Sequence, residues 1–459
     1  MQLRRWQQAC INEAMSKYQN LHSHFLCLAT PGAGKTAMAS LLANELFKQN
    51  KIDLVMCFSP STVVANDFQL ALEKHTNKRF CGGLGSSGIS LCYHSLLTLS
   101  DRFWSLFEHN RVFVIFDEIH HCAGGTMHTA NAWGGQILAN IQGKAAYTLA
   151  LSGTPWRSDN IPIALSNYCE QNGNIHCDFT YGLSEAIYDG VCRVPHITAL
   201  DSREIKVIDN NEETNYSSFS DLLKKSNCTY MDVIEYPLVI KKLLKLAQSK
   251  LNHLRTIYSD AGGLIVATSV EHANQIKQML LLIGEMSDIV TYREPNPVSI
   301  IETFKHNQAK WIISVGMISE GTNIPRLRVC CYLSQVKTEL YFRQVLGRIM
   351  RVHHNTEEKA YFFMPAHPKL MEYAQRIKDD IPEQVSLNVE TFERFNIKTS
   401  SQNANTETVK IKQETRYIFQ VKDGGCPNQV KPPLPDSLDY LYHSAINSLG
   451  RFSQAVFEL

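Results

Sequence analysis

Short apolar runs recur along the first 200 positions, and each is followed by a segment with helical spacing. Residues 24–29 read as a strand, and residues 35–47 as a helix on which Met38, Leu41, Leu42 and Leu46 share one face. Residues 52–58, 112–116 and 146–151 read as further strands, apolar at successive positions. Strands of that kind need helices over both faces, which predicts a largely parallel sheet. Residues 203–230 are polar and lack periodicity, so 203–235 is expected to be a linker. The alternation then resumes with a basic amphipathic helix at 236–254, a strand at 264–267 and a helix at 271–282. Strands at 311–315, 329–333 and 360–363 complete a second α/β unit.

The expected organisation is a first domain over 1–202, the linker, a second domain over 236–366 and an accessory region over 367–459. In that last region SQNANTET and GGCPNQVKPPLP suit no regular element, and 436–457 reads as one or two short helices.

Composition narrows the class. The chain has 459 residues, 44% of them hydrophobic and 19% charged, which is a folded protein too long for one core. It has no apolar run near the roughly 18 residues of a membrane span, and no apolar stretch follows Arg4-Arg5, so neither a membrane nor a secretory signal is expected. The thirteen cysteines include one adjacent pair, Cys330-Cys331, and form no CxxC, which points to reduced thiols in the cytosol. His120, His121 and Cys122 are too close in sequence to converge on one zinc, so no structural zinc is expected. A net charge of +1 gives no bulk electrostatic footprint of a nucleic-acid partner.

The chemistry begins at Ala29-Thr30-Pro31-Gly32-Ala33-Gly34-Lys35-Thr36, between a strand and a helix. Glycines let such a loop curl around an anion, the helix start aims N–H groups at it, and Lys35 adds a cation for β- and γ-phosphates. The Thr36 hydroxyl suits Mg²⁺. Asp117 and Glu118 end the apolar strand at 112–116, where two adjacent acids are costly without partners. Asp117 suits the metal, and Glu118 suits a general base that polarises the attacking water. On a helix expected over 338–351, Gln344, Arg348 and Arg351 fall on one face, and two guanidiniums there can stabilise a transferring phosphoryl group. Gly347 allows close approach of a neighbouring element.

In order along the chain, these motifs resemble those of superfamily 2 helicases of the DExH/DEAD-like type. The likeness is to the branch of restriction-enzyme motor subunits and phage or bacterial DNA-repair helicases, and it covers about residues 1–365. Leu3-Arg4-Arg5-Trp6-Gln7 resembles the adenine-recognition motif, and Asp117-Glu118-Ile119-His120 the DExH box. Ser152-Gly153-Thr154-Pro155, extended by Trp156-Arg157, is similar to motif III. Ser319-Glu320-Gly321-Thr322-Asn323-Ile324-Pro325 resembles motif V, with Asn323 where an acid is usual. Gln344-Val345-Leu346-Gly347-Arg348-Ile349-Met350-Arg351 resembles motif VI.

The resemblance implies an α/β fold of two tandem RecA-like P-loop domains with largely parallel sheets, plus a small, mainly helical C-terminal region. It implies catalysis by Lys35, Asp117, Glu118, Gln344, Arg348 and Arg351. Nucleotide contacts would come from Gln7, Pro31, Gly32, Ala33, Gly34, Lys35, Thr36, Gly321 and Asn323. Thr36 and Asp117 would hold Mg²⁺. Nucleic acid would meet Ser59, Pro60, Tyr93, His94, Thr268, Ser269 and Gly316, while His120, Ser152 and Thr154 couple hydrolysis to lobe movement. The implied activity is ATP-driven translocation on, or unwinding of, nucleic acid, DNA rather than RNA. A cytoplasmic, bacterial or phage-encoded setting and a nuclease or other protein subunit as partner follow from the same branch. The competing readings are an RNA-directed helicase and a nucleotide-gated protein scaffold.

Overall fold

The computed structural model describes residues 3–399, except 127, 155–156, 158–160, 170–174, 210–211, 319–323, 353–357, 383 and 393–394. Two parallel sheets flanked by helices form two lobes, the arrangement of tandem RecA-like domains. The first sheet has the order Gly88–Cys92, Leu54–Ser59, Val112–Phe116, Tyr147–Ser152, His24–Ala29, Phe179–Tyr181, with every neighbouring pair parallel. Each residue of Val112–Phe116 is buried, as the uninterrupted apolar run demands. The helix Lys35–Lys48 covers the sheet with Met38, Ala39, Leu42, Ala43 and Leu46, while Leu41 lies at the edge, partly buried.

The second sheet has the order Ser287–Thr291, Trp311–Val315, Gly262–Ala267, Leu327–Leu333, Lys359–Pro365, Val194–Ser202, Ser386–Phe392, again parallel throughout. The helix Pro237–Arg255 packs on it with Val239, Ile240, Leu243, Leu244, Ala247, Leu251 and Leu254.

Sheet membership moves the expected boundaries. Strand Val194–Ser202 lies in the second sheet, although the boundary was expected at 202. The described part of the polar stretch at 203–235 holds strands and helices, where a linker was expected. Ile205–Asp209 and Glu212–Tyr216 form an antiparallel pair, and the helices Phe219–Lys225 and Tyr230–Ile234 follow. Its inward positions are few, Ile205 and Val207 in one strand, so the alternation is too short to register as a strand in the sequence. Within the expected accessory region, the helix Pro368–Asp380 and the strand Ser386–Phe392 belong to the second lobe, and Phe395–Thr399 pairs with Ile205–Asp209. The sequence at 400–459, with its expected helices, lies outside the described residues. Among the described residues no helix is long and apolar enough to cross a membrane.

Candidate active site between the two lobes

Parallel strands deliver their carboxyl ends to one edge, and three adjacent strands of the first sheet place their motifs there. His24–Ala29 leads into the phosphate loop, Tyr147–Ser152 into Gly153 and Thr154, and Val112–Phe116 into Asp117 and Glu118. Gly32 and Gly34 have φ of 88° and 99°, the left-handed region, and so curl the loop before the helix begins at Lys35. A side chain at Gly32 would meet Arg351 Cγ at 3.0 Å, and one at Gly34 would meet Gln7 Nε2 at 2.9 Å.

A cavity of about 680 Å³ opens above this edge and is closed by the second lobe. From the first lobe it is lined by Pro31, Gly32, Gly34, Lys35, Thr36, Asp117 and Glu118, and from the second by Gln344, Arg348 and Arg351. The two halves of the expected hydrolytic site therefore face one space. The helix carrying Gln344 and Arg348 runs Glu339–Ile349 and ends before Arg351, against the expected single helix face. Arg351 instead sits in an isolated antiparallel bridge with Cys192, and that turn still directs it into the cavity.

Electrostatics within the cleft are unbalanced in favour of cations. Arg4, Lys35, Lys305, Arg348 and Arg351 line it against Asp67, Asp117 and Glu118. Burial, with Arg348 beside it, pulls the Arg351 guanidinium pKa down to about 9, the mark of a cation set among too few anions. Lys35 Nζ lies 3.0 Å from Glu118 Oε1 and donates to the Ala29 carbonyl at 3.1 Å. Burial raises the Glu118 pKa, but Lys35 and the Gly153 N–H outweigh it and hold the carboxyl below its usual range. Glu118 also has φ 51°, left-handed for a non-glycine residue, a strained conformation of the kind that gathers at functional sites.

A polar line runs from Glu118 into motif III. The Gly153 N–H donates to Glu118 Oε2 at 3.2 Å, His120 Nδ1 and Ser152 Oγ are 2.9 Å apart, and the Thr154 N–H donates to Ser152 Oγ at 3.0 Å. Burial, then His121, keeps His120 well below the usual histidine pKa, so it joins this line as a neutral ring. Arg157 donates to the His120 carbonyl.

Other expected site residues are placed differently. Gln7 is buried, its Oε1 accepting the Arg4 N–H at 3.0 Å and its Nε2 donating to the Gly34 carbonyl at 3.0 Å, which braces the phosphate loop. Two expected nucleic-acid contacts are buried side chains. Ser59, the last residue of the strand Leu54–Ser59, is fully enclosed, and Tyr93 spends its hydroxyl on the Asp117 carbonyl at 2.8 Å. Pro60 lines the nucleotide-side cavity. His94 is half-buried with its ring 5.3 Å from that of Trp133. Ser269 caps the helix Val270–Leu282 through the His272 N–H, and the Thr268 hydroxyl points at Met231 Sδ, 3.7 Å away. Gly316 is half-buried with φ 68°. Pro155, Trp156, Gly321 and Asn323 lie outside the described residues.

Asp67, Lys305 and Arg193 escaped the sequence reading. Asp67 and Lys305 face the cavity from opposite lobes but sit in no recognisable motif. Arg193 is a lone arginine in an apolar stretch, VCRVP, and a cation flanked by apolar residues was the available signal.

Residues 1–157 match the family model described as type III restriction enzyme, res subunit. That segment holds the phosphate loop and the strand that leads into Asp117 and Glu118. A protein of Mycobacterium leprae described as uncharacterised is 32% identical over 395 residues, 82% of this chain and 64% of its own length. A counterpart in Mycobacterium tuberculosis is 29% identical over 394 residues, 82% of this chain and 63% of its own length. The chain spans less than two thirds of the length of these curated relatives. In fold it is similar to the ATP-dependent type ISP restriction-modification enzyme LlaBIII bound to DNA, with TM-score 0.57, 13% identity and coverage of 90% of this chain and 32% of that one. It is also similar to S. cerevisiae Dbp5 bound to RNA and ADP BeF3, in a variant form, with TM-score 0.51, 13% identity and coverage of 89% and 93%.

Proposed function

We propose that the chain is a nucleic-acid-dependent ATPase that translocates on or unwinds DNA as its two lobes close and reopen around ATP. The observation that carries this reading is the single cavity lined by the phosphate loop, Asp117 and Glu118 from one lobe and by Gln344, Arg348 and Arg351 from the other. A triphosphate suits its surplus of cations.

Thr36 and Asp117 offer hard oxygen donors on the same wall, which fits Mg²⁺, an ion that takes few protein ligands and completes its shell with water and phosphate. When bound, that ion would neutralise phosphate charge. Lys35 exchanges its ion pair with Glu118 for the phosphates. Glu118, ionised at neutral pH, then takes the proton of the attacking water. Arg348 and Arg351 meet the charge that develops on the γ-phosphoryl group, so turnover requires closed lobes. His120, Ser152 and Thr154 carry the state of Glu118 into motif III. Thr268, Ser269, Gly316 and His94 lie on the elements where nucleic acid would be gripped, with Ser59 and Tyr93 contributing through backbone position. A cytoplasmic bacterial or phage setting, and a partner subunit that supplies nuclease chemistry, belong to the same proposal.

The test is ATP turnover and ATP binding by wild type, Arg348→Ala and Arg351→Ala against single-stranded, duplex, forked and branched DNA and matched RNA. Expected is turnover stimulated most by DNA, and at least about 1,000-fold slower without either arginine while ATP still binds. Strand displacement on the best activator then separates unwinding from translocation. Stimulation by RNA alone would favour the RNA-directed reading, and stimulation by a protein alone the scaffold.

A further inference from the structure

The segment that leaves the first lobe, Val191-Cys192-Arg193, is bonded to both halves of the cleft. The N–H groups of Val191 and Cys192 donate to the Ala186 carbonyl at 2.8 and 3.0 Å, and Cys192 Sγ lies 3.7 Å from the Pro31 carbonyl of the phosphate loop. On the other side, the Arg193 N–H donates to the Met350 carbonyl at 2.7 Å, and Cys192 forms the bridge with Arg351.

The Arg193 side chain is completely buried. Four of its five N–H donors are directed at acceptors: Nε to Glu358 Oε2 at 2.7 Å, Nη1 to the Leu327 and Ile349 carbonyls at 2.7 and 2.9 Å, and Nη2 to the Pro325 carbonyl at 2.9 Å. Ile349 ends the motif VI helix, and Pro325 ends motif V and lines the cavity. A cation this deep is costly to bury, and one carboxylate plus three peptide carbonyls offset the cost through a planar fork. Glu358 does not need Arg193 to remain paired, because Arg328 binds both of its oxygens. The fork is thus aimed at three backbone carbonyls of the second lobe, at the exits of motifs V and VI, and a simple charge pair would not require that geometry.

We propose that Arg193 is a positioning residue for the Arg351 finger. By fastening the connector between the lobes to the exit of the motif VI helix, it sets where Arg351 stands over the phosphate loop. Lobe rotation, which must pass through the connector, is thereby transmitted to the finger. The inference rests on the ATPase reading and adds to it the part that registers one lobe's arginine on the other lobe's phosphates.

The experiment measures ATP turnover, KM and binding of a fluorescent ATP analogue for Arg193→Met, Arg193→Lys, Arg351→Ala and both double variants with Arg351→Ala. Release of radiolabelled phosphate reads the slow rates. Expected for Arg193→Met is a kcat about 10- to 100-fold lower with KM nearly unchanged, since a displaced catalytic group costs rate before affinity. In the Arg351→Ala background the same change should cost nothing further, because its effect has lost its target. Analogue binding shows that each variant is folded, and Arg193→Lys, which keeps the buried charge opposite Glu358, replaces the methionine variant if that does not fold. Lysine lacks the fork and should also lower kcat. Full activity in Arg193→Lys, or an equal loss in both backgrounds, would overturn the positioning role while leaving the ATPase reading intact. Undiminished turnover in Arg351→Ala would overturn the finger and this proposal with it.

Discussion

Gly347 of the second lobe stands directly against Pro31 of the phosphate loop: a Cβ built on Gly347 would lie 2.7 Å from the Pro31 Cβ. The proline ring cannot turn aside, so any side chain there must push the lobes apart. Gly347→Ala should lower kcat for ATP by about tenfold or more, as misplacement of a catalytic group does. Helix propensity predicts no loss of stability, since alanine is favoured over glycine by about 1 kcal/mol inside a helix. Steady-state kinetics beside a thermal melt checks both halves. An alanine variant with full activity would mean that the lobes need not approach this closely.

Glu118 is held as a carboxylate by Lys35 and by the Gly153 N–H. Glu118→Gln keeps the size and the strained backbone but cannot accept a proton. Turnover should fall by about 100- to 10,000-fold, the range for a lost general base. ATP affinity should hold or rise, because Lys35 no longer has a carboxylate to leave. Rapid-quench hydrolysis and analogue binding measure the two effects, and near-normal hydrolysis would remove Glu118 from the chemistry.

Tyr93 lies where nucleic acid was expected, yet its ring is buried and its hydroxyl braces the strand end at Asp117. Tyr93→Phe should therefore cost about 1 kcal/mol of stability, the usual worth of one buried hydrogen bond. Affinity for DNA should not change. A salt-dependent weakening of DNA binding in this variant, measured by fluorescence anisotropy, would restore the direct contact.

His272 sits under the Thr268-Ser269 turn, and its Nδ1 accepts the Thr268 N–H at 3.4 Å. Burial lowers its pKa to about 4, against a smaller upward pull from the Ile234 backbone. The folded pKa lies below the unfolded value of about 6.5, so the unfolded chain takes up this proton first as pH falls. The contribution to stability is complete above about pH 6.5 and is lost progressively as pH falls toward the folded pKa. Melting temperature against pH should show that decline, less steeply in His272→Gln. A slope unchanged by the substitution would contradict a neutral, buried His272.

Motifs that act through local spacing were legible in the sequence. The phosphate loop could be read because a strand, two glycines and Lys35-Thr36 are contiguous, and the carboxyl-end position of Asp117 follows from one apolar run. Relations set by distant pairing were not legible. Val194–Ser202 joins the second sheet by pairing with Lys359–Pro365 and Ser386–Phe392, partners more than 150 residues away. Arg351 leaves its helix because Cys192 and Arg193 pair with the chain just beyond Ile349. Ser59 and Tyr93 match nucleic-acid motifs in sequence, but which way a side chain turns at a strand end depends on packing, and here both turn inward.

The most direct test of a nucleic-acid-dependent motor is ATP turnover by the wild-type chain titrated with single-stranded and duplex DNA at about 50 and 200 mM salt. Predicted is a low basal rate raised several-fold or more by DNA, with half-stimulation moving to higher DNA concentration as salt rises, because phosphate contacts release counterions. A rate that is the same with and without every nucleic acid, at both salt concentrations, would contradict it.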